Sequence, residues 1–370
     1  MIGKSVVQWM KSEIILIIAA LAAIISSFFV PVSFAYLDYI DVRTLCLLFC
    51  LMIIIAGIQK CGVFDSLAQS LLSGNRSLRL LQIILILVPF FSSMLITNDV
   101  ALITFVPFTI SILQMAQEQK KIILILVLQT IAANLGSMAT PIGNPQNIYL
   151  CGFFQMDMTD FFITMLPSTI LSFVILGCFS IVCRNKNIQI HFPKKLSIQN
   201  KNKLKAFVLL FILCIFTVFH VLSHWLLLGV VCITIFLIDK ELFKRVDYIL
   251  LLTFVFFFIF AGNMSNLETV RQILQAFMEK SALLTSMVAS QIFSNVPAAI
   301  LLSNFTDNVH ELLLGVNIGG LGTPIASLAS LITIKYYLKS EYAQPKKFFL
   351  YFLCLNFFIL ILLYVFVLMF

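Results

Sequence analysis

The chain has 370 residues, of which 61% are hydrophobic and 11% charged, and its mean hydropathy is +1.07. No soluble domain hides that much apolar surface, and many segments approach the roughly 20 apolar residues that span a bilayer. A net charge of +8 could suit nucleic acid, but all except three of the 24 Lys and Arg (Arg43, Arg271 and Lys280) fall on one side of the topology set out below. That is the positive-inside bias of a membrane protein, not a nucleic-acid footprint.

In chain order, residues 1–183 form a first half. An apolar run over Ile14–Val30 follows Lys4 and Lys11, and no small-x-small cleavage site follows it, so it reads as a retained first helix. A second helix covers about Thr44–Gln59, and residues 80–117 form a hairpin that enters and leaves on the cytoplasmic side. A broken helix spans 122–154, and a further helix covers 161–183. Residues 184–205 carry seven Lys or Arg and no acid, so they read as a cytoplasmic basic linker. The second half, 206–370, holds three helices, a hairpin at 281–308 on the outer side, a broken helix at 311–334 and a last helix at 348–370. Charge bias puts the N-terminus in the cytoplasm and the C-terminus outside, in a multi-pass protein of the cell membrane. The nine cysteines are scattered singly without metal-ligand spacing. His220 and His224 end a helix beside Trp225, an interfacial placement, so no transition-metal site is expected.

The broken helix is marked by Asn134–Asn147, where Pro141 and Pro145 stand among Gly, Ser, Thr and Asn in an otherwise apolar stretch. Proline removes a backbone donor, and broken backbone at membrane depth is tolerated only where protein or water satisfies it. The same pattern recurs. Asn134, Gly136, Thr140, Pro141 and Ile142 each meet an identical residue 183 positions later: Asn317, Gly319, Thr323, Pro324 and Ile325. Upstream, Ile-Thr-Asn-Asp-Val-Ala (96–101) resembles Phe-Ser-Asn-Val-Pro-Ala (293–298), and Ile-Ala-Gly (55–57) resembles Phe-Ala-Gly (260–262). The charge bias puts the two copies in opposite orientation. The fold class is therefore an all-α polytopic membrane protein with two inverted-topology repeats, each holding a re-entrant hairpin and a discontinuous transmembrane helix. Secondary transporters are built this way, with sites near the midplane. The outer hairpin's first arm, Ala282–Phe293, has 12 residues. At ~1.5 Å per residue it reaches roughly 18 Å and stops inside the membrane. The first hairpin has longer arms, and full spanning stays open for it.

Side-chain oxygens for a cation are available from Thr97, Asn98, Ser137, Thr140 and Asn144. Asp99 is the single acid in a long apolar run, a cation ligand or proton carrier, or else a helix-capping acid. Half-helix N-termini with Ser294 and Asn295 offer donors to an anion, and no arginine lies in either motif. There is no Gly-x-x-x-x-Gly-Lys-Ser/Thr, so energy comes from an ion gradient or a separate ATPase.

These tips and loops resemble the ion transporter superfamily, which includes divalent-anion/sodium symporters, citrate permeases, arsenite permeases and a sodium–proton antiporter branch. Thr97-Asn98-Asp99 and Ser294-Asn295 are similar to that family's hairpin tips. Thr140-Pro141 through Asn144-Pro145, and Thr323-Pro324, are similar to its unwound loops. The resemblance implies a secondary transporter, not an enzyme, that moves a small anion such as a di- or tricarboxylate or an inorganic oxyanion. It implies coupling to sodium or protons, with sodium as the expected ion and no other cofactor, and an elevator movement in a homodimer. It places substrate against Asn98, Thr140, Pro141, Gly143, Asn144, Asn147, Ser294, Asn295, Thr323, Pro324 and Ser327. The sequence departs from the dicarboxylate symporters at Asp99, which replaces a hydroxyl, and at Val296, which lacks one. Sodium–proton antiport and arsenite efflux are the alternatives.

Overall fold

The computed structural model describes residues 13–72, 74–182, 186–190 and 197–369. Lys4, Lys11, Arg184, Lys194 and Lys195 of the charge count, together with Cys183 and Phe370 at the ends of predicted segments, lie outside the described residues. The chain opens with α1 (Ile14–Ser27), a single turn α2 (Tyr36–Tyr39) and α3 (Val42–Lys60). The Asp41 carboxylate starts α3 by accepting from the Thr44 N–H. After α4 (Val63–Leu72) comes a helical hairpin, α5 (Leu78–Ser92) and α6 (Asn98–Met115). Two short helices follow, α7 (Ile122–Ser137) and α8 (Pro145–Phe153), and then α9 (Met158–Ile181). The second half runs through α10 (Lys201–Val218), α11 (His224–Asp239), α12 (Tyr248–Ser265) and α13 (Glu268–Lys280). It continues with a second hairpin, α14 (Ala282–Phe293) and α15 (Asn295–Leu302). The pair α16 (Val309–Ile318) and α17 (Leu328–Leu338) and a final α18 (Pro345–Met369) complete it.

The protein is a helical multi-pass membrane protein, and among the described residues one short ribbon is its only sheet. Six helices among the described residues are long and apolar enough to cross a bilayer. The ribbon pairs β1 (Gly74–Ser77) with β2 (Asn187–Ile190), antiparallel. Residues 187–190, read as linker, thus fold back onto the first half. Asn-Ile-Gln-Ile alternates polar and β-branched residues, the pattern of a half-buried strand, and Ile188 is buried. Helix α10 also starts inside the predicted linker, because Lys-Asn-Lys-Leu-Lys joins the helix that follows.

Two groups of helices pack differently. α7 is buried at every position but Leu124, which puts it at the centre of the bundle, its few polar side chains included. Around it stand α5, α6, α9, α17 and α18, with the second hairpin against α16. The other group is a frame: α3 against α10 and α11, and α1 against α12. Lys60 at the end of α3 pairs with Asp239 at the end of α11 at 2.7 Å. The frame meets the core through α12 on α15, and through α3 and α10 on α8. Arg43 of α3 reinforces that end by donating to the Thr217 and Val218 carbonyls of α10 at 3.2 and 3.3 Å.

Glycine permits the closest approach in the core. A Cβ on Gly136 would collide with the Phe90 carbonyl, so α7 packs backbone to backbone on α5. Its counterpart Gly319 would collide with Met287 and Ser290, and so α16 packs on α14 in the same way.

Candidate functional site

Both broken helices break for a local reason. Pro145 occupies the first position of α8, where a missing N–H costs nothing and the fixed φ suits the helix. Asn144 before it is extended, at φ −141° and ψ 144°. In the second copy, Ser327 is extended in the same way before α17. Each hairpin tip is then tied to the unwound loop that follows it. The Asn98 N–H donates to the Gly143 carbonyl at 3.3 Å, and the Asn295 N–H donates to the Ala326 carbonyl at 2.9 Å. Asn98 Oδ1 accepts from the Asp99 N–H at 3.0 Å, and Asn295 Oδ1 accepts from the Val296 N–H at 2.9 Å. The Thr140 hydroxyl donates to the Met94 carbonyl, and the Thr323 hydroxyl to the Gln291 carbonyl. Every partner in one copy is the sequence counterpart of the partner in the other.

The two copies then lock across each other through two asparagines. Asn134 of α7 accepts at Oδ1 from Asn98 Nδ2 at 2.9 Å and from the Ser327 hydroxyl of the opposite loop at 3.0 Å. Asn317 of α16 accepts at Oδ1 from Asn144 Nδ2 and Gln146 Nε2, both at 3.3 Å. Its own Nδ2 donates to Asn147 Oδ1 at 2.7 Å and to the Leu313 carbonyl at 2.8 Å. Asn134 and Asn317 are the repeat-identical residues, and each bridges to the other half's loop. All these side chains are buried. A buried amide atom without a partner costs about 1–3 kcal/mol, so such a network specifies one arrangement of the halves.

The expected site residues divide into three groups. Asn98, Asn144, Asn147 and Ser327 are brought together by the two asparagines. Thr140 and Thr323 fasten loops to hairpin arms, and the Ser137 hydroxyl donates to the Asn134 carbonyl within α7. Gly143 supplies the carbonyl that receives Asn98. Pro141 is buried and Pro324 half-buried in the loops. Ser294 Oγ lies 3.4 Å from the Ala326 carbonyl. Thr97 precedes α6 without a side-chain cap bond, and Asp99 sits in that helix's first turn with a buried Oδ1 that has no partner.

Four further residues shape the site: Asn134, Asn317, Gln146 and Gln291. The repeat alignment marks the two asparagines by identity, which is the signal that could have placed them in the site. Gln146 stands fully buried on α8. Gln291 latches the second loop by donating to the Gly319 and Leu321 carbonyls and accepting from the Thr323 N–H. Neither glutamine has a counterpart of its kind in the other copy. Among the described residues no group of three His, Cys, Asp or Glu could hold a metal ion. His310 lies on α16 and faces the Thr164 hydroxyl at 2.7 Å.

Half-helices whose ends meet at a buried polar centre in an apolar bundle are the build of a membrane transporter. Comparison with known proteins agrees. Residues 2–311 match the citrate transporter family, and the chain belongs to that family. It is 32% identical over 299 residues to an uncharacterized transporter of Methanocaldococcus jannaschii, covering 80% of this chain and 81% of that one. It is 30% identical over 318 residues to the inner membrane protein YbiR of Escherichia coli, covering 84% of each. A silicon efflux transporter of rice is 32% identical over 131 residues, 35% of this chain and 26% of its own.

Proposed function

We propose that this chain is a secondary active transporter that moves a small anion, a di- or tricarboxylate or an inorganic oxyanion, coupled to sodium or protons. The observation that carries the reading is the crossed amide centre. Two tips and two loops hold matching hydrogen bonds, and each asparagine bridge joins one half to the other. A structural protein gains nothing from placing two unwound loops and unpartnered polar atoms in its most buried region. Opposed repeats with re-entrant hairpins account for this pairing, because a substrate held between the tips then faces one side or the other according to the core's position. An elevator movement is supported by the split between a frame (α1, α3, α10, α11 and α12) and a core that touches it mainly through α8 and α15.

The cation ligands of this reading are Thr97, Asn98, Asp99, Ser137, Thr140 and Asn144. Asp99 is the one acid beside the first tip, and a buried carboxylate oxygen without a partner suits a cation. Anion binding would use the N-terminal ends of α8 and α17, where N–H groups of the first turn and the helix dipole supply positive character without arginine; at α15 the first N–H groups are taken by the Ala326 carbonyl and Asn295 Oδ1, so that helix adds its dipole and the Ser294 hydroxyl. Export of a weak oxyacid is a second reading, favoured by the similarity to the rice silicon efflux transporter. Proteoliposome uptake of labelled succinate, citrate and sulfate under imposed sodium or pH gradients tests the proposal. Gradient-driven accumulation of one of them is expected. Accumulation of none, or flux indifferent to both gradients, would contradict it.

A further inference from the structure

A cavity of about 190 Å³ lies where the frame meets the core, and no residue of the amide centre lines it. The frame side supplies Asp38, Asp41 and Phe258, and the core side Tyr149, Phe153 and Asn304. The wall that carries the acids is fixed in place. The Tyr39 ring lies on Gly262 of α12, where any Cβ would collide with it. Tyr39 Oη accepts from Asn266 Nδ2 at 3.0 Å, and Tyr36 Oη accepts from Asn263 Nδ2 at 2.9 Å. Tyr36 in turn donates to the Val30 carbonyl at 2.6 Å. A single helical turn, α2, which would not hold by itself, is thus strapped to α12.

The strap presents negative charge without a counter-charge. Asp41 accepts from the Thr44 N–H at 3.0 Å and from its hydroxyl at 2.6 Å, neutral donors that leave the charge in place. Asp38 makes no ion pair among the described residues, and no Lys or Arg lines the cavity. An anion is repelled here, so this is not a second seat for an anionic cargo. The facing wall is aromatic. The Tyr149 ring stands 5.5 Å from those of Phe153 and Phe258, and its hydroxyl is engaged by Ser303 Oγ at 2.7 Å.

We infer that this cavity binds a small organic cation, an amine or quaternary ammonium head, and that the occupant joins frame to core. Carboxylates answer its charge, and aromatic rings answer both its charge and its apolar flank. A volume under the ~300 Å³ at which drug-sized sites begin calls for a ligand of few heavy atoms. A metal ion fits less well, because the lining holds two carboxylates and no further acid, Cys or His. A ligand that touches both walls favours the arrangement in which they face each other. Binding here does not depend on which cargo the amide centre takes.

The test is thermal unfolding of the purified full-length protein in an uncharged detergent, titrated with choline. The controls are the alcohol in which carbon replaces the choline nitrogen, and sodium chloride at matched ionic strength. Choline should raise the melting temperature saturably by a few degrees, and neither control should. Asp38→Asn should raise the half-saturating choline concentration about tenfold, and Phe153→Leu about threefold, since charge and ring each contribute. Asp38→Glu should keep the response, which separates lost charge from a disturbed strap. No response to choline, or an equal response to either control, would overturn the inference. So would a half-saturating concentration unmoved in both variants. A shift in Asp38→Asn with none in Phe153→Leu would overturn the joining of frame to core.

Discussion

At the first tip Thr97 is relaxed, with φ −49° and ψ 151°, whereas at the second tip Ser294 holds φ +75° and ψ 155°. The first loop continues into Pro145, Gln146 and Asn147, and the second into Leu328, Ala329 and Ser330. The first loop is held to its arm by Thr140, while the second is additionally gripped by the Gln291 side chain. Shared bonds fix the geometry of both halves, and the unshared residues divide the work. The first loop and the helix it leads into carry the amide oxygens left without a partner, at Asn144 and Gln146. The second copy carries backbone strain at its tip, a tighter latch and one unpartnered hydroxyl, that of Ser330. Positive φ at a residue with a Cβ costs about 1–3 kcal/mol and persists only where the surroundings hold it.

Breaking the bridges should have the largest effect. Asn317→Leu strips partners from Asn144, Asn147 and Gln146, and should lower unfolding stability by about 3–6 kcal/mol. Asn134→Leu strips only Asn98 and Ser327 and should cost less. Chemical denaturation of the two variants side by side checks the order, and equal losses would count against the asymmetry. Next come the glycines. Gly136→Ala and Gly319→Ala should each cost about 1–3 kcal/mol by forcing α7 off α5 and α16 off α14, with the loss greater at Gly136, where the Phe90 carbonyl lies closer than any obstacle at Gly319. Ser294→Gly should gain about 1 kcal/mol in melting experiments by relieving the strained tip. Thr97→Gly, at a relaxed position, should gain nothing. Smallest is Thr130→Val. The Thr130 and Thr333 hydroxyls are hydrogen-bonded at 2.8 Å, a contact between halves with no symmetric mate, and its loss should cost about 1 kcal/mol.

Much of the fold was legible because a membrane chain writes its spans as apolar runs and its breaks as proline and glycine. The breaks at Thr140–Pro145 and Thr323–Ser327 lie where the repeat placed them. The β1–β2 ribbon escaped notice because Asn187–Ile190 is four residues long and sits in a basic segment whose charge dominates its pattern. Helix ends shifted by a few residues for capping reasons, as at α9, which begins after Asp157 accepts from the Thr159 N–H. The site was half visible. Polar residues at the breaks stand out against an apolar background, and Asn98, Asn144, Asn147 and Ser327, named from the sequence, meet in the amide network. Gln146 and the partner choice of Asn134 and Asn317 depend on which helix faces which across the two halves, and sequence spacing does not carry that.

The account depends on the two hairpins being opposed, and their sidedness can be measured directly. Single cysteines at Lys120, between the first hairpin and α7, and at Asp307, between the second hairpin and α16, are both at exposed positions. In a background with all nine native cysteines replaced by serine, each would be challenged with a membrane-impermeant maleimide in intact cells and in inverted vesicles. Opposed repeats predict labelling of the Asp307 position in cells only and of the Lys120 position in inverted vesicles only. Labelling of both positions from the same side would contradict the inverted arrangement, and with it the transport mechanism built on it.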